Sequence, residues 1–188
     1  MRYLLEYNWS VRDEWLAWCG QLPYEALAAP RTGGVGSILE TLFHVVDVEY
    51  SWIAAIAGWE DEEPGYADYA SLTSIRLLSD RYRMVLKPWM DAWKPEMDYR
   101  EVQVPWRTGP LYAGEILRHV IVHEVHHIGQ LSVWARECGI QPPSANFIER
   151  GFMERTKQKQ TQHVEITSRG GKNDETDADP ERTKADHQ

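Results

Sequence analysis

A chain of 188 residues, 43% of them hydrophobic, holds enough apolar material for one substantial core, so a single domain with room for a tail is expected. A formal charge of −9 excludes a general nucleic-acid binder, because neutralising phosphates takes a basic surface. Cys19 and Cys138 are the only cysteines and lie far apart in sequence, which argues against a disulfide framework or a thiolate zinc site.

The opening residues, MRYLLEYNWSVRDEW, place Glu6 and Asp13 where a signal peptide needs an unbroken apolar run. No stretch of about 18 apolar residues occurs elsewhere, so the expectation is a cytoplasmic protein without a membrane partner. Leu4, Leu5, Trp9, Trp15, Leu16 and Trp18 recur at helical spacing and predict a first helix from about Tyr3 to Gln21. Residues 22–36, with Pro23, Pro30, Gly33, Gly34 and Gly36, read as loop.

Ser37 opens a second helix with Ser-Ile-Leu-Glu, a capping box in which the hydroxyl takes one free amide and Glu40 reaches back to another. This helix runs to about Ala57 and is apolar over most of its circumference, through Ile38, Leu39, Leu42, Val46, Tyr50 and Ile53. Glu40, His44, Asp47 and Ser51 form one narrow polar stripe on it. Such a stripe is either a solvated face, the simpler account for Glu40, or the wall of an internal, partly wet site. In the second case His44 is a ligand, and Asp47, one turn on, is an acceptor behind it or a substrate contact.

A third amphipathic pattern spans about Asp68 to Trp93, with Pro88 expected to kink or shorten it. Tyr99, Val102, Val104 and Trp106 alternate with polar residues before Thr108-Gly109-Pro110, which predicts a short extended connector or weak hairpin. The last long helix, from Leu111 to Glu137, stops before Gly139 and Pro142-Pro143. Ala145 to Met153 supply one more short apolar turn, through Phe147, Ile148 and Phe152, expected to dock on the bundle. Residues 154–188 carry almost no large apolar side chains and read as a flexible polar tail beyond a domain of residues 1–153. The fold class is therefore all-α, a four-helix bundle with an extended connector before its final helix.

That final helix carries the chemistry. At 100° per residue, Ile116, Leu117, Val120, Ile128, Leu131, Trp134, Ala135 and Cys138 share one apolar face. His123 and His127 fall on its edge, while His119 and His126 project toward the polar side. Four-residue spacing stacks two imidazoles about 5–6 Å apart at Cβ, close enough to share an ion. Glu124 falls on the apolar side, where an unpaired carboxylate is costly and needs a cation or donor. With His44 added, three neutral imidazoles from two helices leave a coordination position open, the arrangement of a reactive metal site. Zinc suits the ligands; nickel, iron and manganese remain open on ligand type alone.

Several of these residues resemble the DinB/YfiT-like proteins: Tyr7-Asn8-Trp9, Gly36-Ser37-Ile38-Leu39-Glu40-Thr41-Leu42 leading to His44, Trp52 with Gly58 behind it, and His119 followed by His123-Glu124-Val125-His126-His127-Ile128-Gly129-Gln130-Leu131. The resemblance covers roughly residues 1–150. It implies a four-helix bundle, often a homodimer, whose metal is held by His44, His123 and His127. It also implies a metal-dependent S-transferase using a low-molecular-weight thiol such as bacillithiol or mycothiol on a small electrophile, or a metal-dependent hydrolase. Where common variants of the family carry arginine, this chain has Ile128.

Two rivals use the same letters. His123-Glu124-Val125-His126-His127 satisfies HExxH, in which Glu124 is the general base of a metallopeptidase. The extended metzincin pattern fails, since Gln130 stands where glycine is needed and Val133 where a ligand is needed. A non-catalytic, metal-stabilised ligand-binding or dimerisation bundle would carry the same three histidines.

Overall fold

The computed structural model describes residues 1–152 and residue 154. The chain divides into a compact unit, Met1–Ala145, and a second that begins at Asn146. Four long helices build the first: α1 (Arg2–Cys19), α3 (Ile38–Ala57), α4 (Leu72–Asp91) and α5 (Ala113–Glu137). The expected all-α architecture is present. A short helix, α2 (Tyr24–Ala28), occupies part of the region expected to be loop. Its Tyr-Glu-Ala-Leu-Ala run is rich in good helix formers, and Leu27 is buried as its anchor.

Local chemistry sets the ends. The Ser37 hydroxyl accepts the amide of Glu40 at 3.1 Å, which is the hydroxyl half of the expected capping box. Ser71 does the same for Ser74 at the start of α4. Pro88 does not end α4, which continues to Asp91. It lies in the final turn, where few hydrogen bonds remain to be lost. At the end of α5, Gly139 adopts a left-handed φ of +75°, and Ile140 N–H reaches back to Ala135 carbonyl at 3.1 Å. This is the glycine stop expected there. Between α4 and α5, Glu101–Val102 (β1) pairs antiparallel with Leu111–Tyr112 (β2), Val102 opposite Leu111, so the connector is a small hairpin.

The core is formed by Leu5, Trp15, Leu39, Leu42, Ile53, Ile75, Leu78, Leu86, Leu117 and Leu131, all essentially inaccessible. Each such side chain contributes on the order of 1.5–3 kcal/mol on leaving water. Through the middle of these apolar layers runs one buried polar knot, with a group from each long helix. Arg12 of α1 binds Glu124 of α5 with Nε and Nη2, at 2.8 and 2.6 Å. It binds Glu49 of α3 with Nη1 and Nη2, at 3.1 and 2.9 Å, and reaches Ser79 of α4 at 3.3 Å. Trp9 Nε1 donates to both oxygens of Glu49.

In the second unit, the Phe147 and Phe152 rings stack at 5.5 Å, and Arg150 Nε donates to the Asn146 carbonyl. The polar tail expected over residues 154–188 lies, Glu154 apart, outside the described residues. Among the described residues, no helix is long and apolar enough to cross a membrane.

Candidate metal centre

Helices α3 and α5 bring together the three histidines that the sequence singled out. His44 projects from the polar stripe of α3, while His123 and His127 lie one turn apart on α5 at the border of its buried face. His123 Nε2 is 3.1 Å from His44 Nε2 and 3.1 Å from His127 Nε2. All three ligand atoms fall within 4.8 Å of one another. Two nitrogens bound tetrahedrally at the usual zinc distance are separated by about 3.3 Å, so this spacing fits a shared divalent cation. The three rings supply neutral nitrogen donors and leave room in a four-coordinate shell for another ligand.

Electrostatics favour the same use. Burial, then the imidazoles of His127, His44, His119 and His126, push His123 down to about 3. Burial and His127 lower His44, and burial lowers His127 although its hydrogen bond to Gln130 works the other way. Near neutral pH the rings are therefore uncharged, with lone pairs available to a metal. His127 Nδ1–H donates to Gln130 Oε1 at 2.7 Å, which turns its Nε2 lone pair toward the other two rings. The Gln130 amide donates to His126 Nε2 at 3.1 Å, so one residue orders two imidazoles. Gln130 stands in the run that carries the family resemblance, three residues after His127. That helical spacing was the signal for its role.

The loop before α3 closes over this support. Gly34 has φ +95°, and a Cβ there would lie 2.9 Å from Gln130 Oε1 and 2.8 Å from the Trp134 ring. Only glycine lets the backbone come so near.

The remaining candidates separate from the cluster. His119 and His126 are exposed, as their wheel positions predicted. Asp47 is half-buried, and burial followed by the charges of Asp61 and Glu63 pushes it up to about 6. Glu124 requires a correction. The HExxH reading makes it a base, but it is 2% exposed with both carboxylate oxygens bound to Arg12, the cation its buried position called for. Burial pushes its pKa up against the pull of Arg12. A carboxylate so occupied is a structural partner of the core, and the HExxH reading loses its base.

The metal-free protein should lose stability as pH falls. An unfolded imidazole gains its proton near 6.5, whereas folded His123 gains it only near 3. The unfolded state then binds more protons throughout that window, so stability drops from about pH 6.5 toward 3. Asp47 acts oppositely between 3.8 and about 6, because its folded form holds the proton more tightly. Urea midpoints of metal-free wild type and His123→Gln isolate the imidazole contribution. The wild type should weaken more steeply on acidification, and parallel curves would contradict this account.

The chain is similar to known proteins in sequence and in fold. The model of a family described as the DinB family matches residues 1–163. The chain is similar to the protein YizA of Bacillus subtilis strain 168, 53% identical over 155 residues that cover 80% of this chain and 95% of that one. Among solved structures, a DinB-like protein from Bacillus cereus ATCC 10987 aligns with a TM-score of 0.52 at 19% identity, covering 75% of this chain and 94% of its own. The DinB-like protein YjoA of Bacillus subtilis aligns with the same score at 16% identity, covering 76% and 97%. At these identities the two structures speak for the fold.

Proposed function

This chain belongs to the DinB family, and from that premise we propose that it is a metal-dependent S-transferase acting on a small electrophile. His44, His123 and His127 hold a divalent cation, with zinc the best match to three imidazoles. The observation that carries the reading is the convergence of three Nε2 atoms from two helices, with Gln130 ordering one of them. When bound, a divalent ion lowers the pKa of a thiol or water that takes the open position.

The residues do the rest. The α3 and α5 helices wall one side of the site, and Asp47, one turn along α3 from His44 and raised to about 6 by burial, Asp61 and Glu63, takes up a proton relayed from the site through water. In the transfer, the thiol sulfur forms a bond to an electrophilic carbon, the leaving group departs with its electron pair, and the thiol proton passes through water to Asp47 and on to solvent. With water in place of the thiol, the same residues support hydrolysis.

Cobalt(II) substitution tests the reading. Adding bacillithiol or glutathione should produce a sulfur-to-cobalt charge-transfer band. The zinc form should then conjugate the thiol to 1-chloro-2,4-dinitrobenzene with release of chloride. Full metal occupancy with neither the band nor conjugation for any thiol tried would remove the S-transferase and favour the hydrolase or a binding module.

A further inference from the structure

Next to the histidines, α3, the first turns of α5 and the loop of residues 103–110 line a cavity of about 200 Å³ that opens to the surface. Trp52, Leu111 and Ile116 give it apolar walls, and Arg107, Glu115 and His119 complete the lining. Its inner end adjoins the metal centre, because the His119 ring lies 5.7 Å from that of His123 and 5.4 Å from that of Trp52. Trp106, from the same loop as Arg107, stands edge-on to Trp52 at 5.1 Å and steadies that wall.

The two charges on the lining are not equivalent. Glu115 already has a task, since its Oε2 accepts the Tyr112 amide at 3.4 Å and closes the start of α5. Arg107 makes no ion pair and no side-chain hydrogen bond among the described residues. Neighbouring arginines are used differently: Arg118 is tied to Asp98 at 2.6 Å and Arg100 to the carbonyl of Ile56. A guanidinium without a partner among the described residues, on a cavity whose other charge, Glu115, is already engaged, is a fork open to an anion.

We propose that this cavity receives the organic substrate, a small molecule with a flat apolar body and a carboxylate. The body lies against Trp52, Leu111 and Ile116, the carboxylate meets Arg107, and the opposite end extends past His119 toward the metal. The assignment rests on the function proposed above in taking the metal centre as the place of reaction.

Calorimetric titration of phenylacetate and its neutral isostere phenylacetamide tests the site, using zinc-loaded and metal-free full-length protein. The carboxylate should bind about tenfold tighter than the amide in both forms, as a charge-assisted bidentate contact allows. Arg107→Gln, a change at an exposed position, should erase that preference and leave amide binding alone. Equal affinities, absence of binding, or a preference that survives Arg107→Gln would overturn the proposal; the last would mean that the carboxylate goes to the metal. A protein that takes up no divalent ion yet prefers the carboxylate through Arg107 would support this site while removing the function proposed above.

Discussion

Replacing Arg12 with methionine should cost the fold at least about 3–5 kcal/mol, enough to leave a domain of this size marginal or unfolded. Arg12 is 1% exposed, and among the described residues it is the only cation in direct contact with Glu49 and Glu124, themselves 3% and 2% exposed. Without it, Glu49 keeps the Trp9 indole as a donor, whereas Glu124 loses both of its bonds to Arg12 and must hold a proton or draw in water. Lysine should rescue little, because one ammonium cannot reproduce bonds that leave the guanidinium in several directions. Replacing all three charges, Arg12→Met with Glu49→Gln and Glu124→Gln, should recover much of the loss, since removing a buried set together avoids the uncompensated charge. Urea denaturation followed by circular dichroism measures each step. A single Arg12→Met variant within about 1 kcal/mol of wild type would show that the knot adds little to stability.

The knot also shows what the sequence could and could not tell. Arg12 lies at helical spacing with Leu5, Asn8, Trp15 and Cys19, all buried, so its inward direction was legible. Glu49 likewise shares a face with Leu42, Val45 and Ile53. Glu124 was read correctly as a carboxylate in need of a cation. The match between them was not legible, because it joins positions 112 and 37 residues apart through packing that no local pattern encodes. The same boundary divides the metal centre. His123 and His127 are fixed by one helix and its periodicity. His44 comes from a polar stripe that a solvated face would explain as well, and it joins the others only because α3 packs against α5. Arg107 and the cavity were invisible, since its walls come from a helix, a loop and the start of another helix.

Substituting alanine for His123 should abolish divalent-metal binding, from about one ion per chain to near none, and should do so more completely than any other single change at the site. His123 Nε2 is the middle atom of the three, 3.1 Å from each neighbour. Its loss leaves two donors from different helices with no donor between them. His44→Ala and His127→Ala should weaken binding strongly as well. Gln130→Leu keeps every ligand but removes the acceptor for His127 Nδ1–H, and a loss of about 10–100-fold is expected for such a supporting bond. His119→Ala and His126→Ala should stay near wild type, because neither belongs to the converging set. Isothermal titration with zinc, with elemental analysis of untagged protein, gives these affinities. Melting in excess zinc reports them independently, since a ligand present at about a hundred times its dissociation constant adds roughly 2.7 kcal/mol to the native state. That increment should be present in wild type and absent in His123→Ala. If His44→Ala retained both the full ion and the full thermal gain, the α3 imidazole would not be a ligand. The centre would then reduce to a stacked pair on one helix, too few donors for the open, reactive coordination from which the chemistry follows.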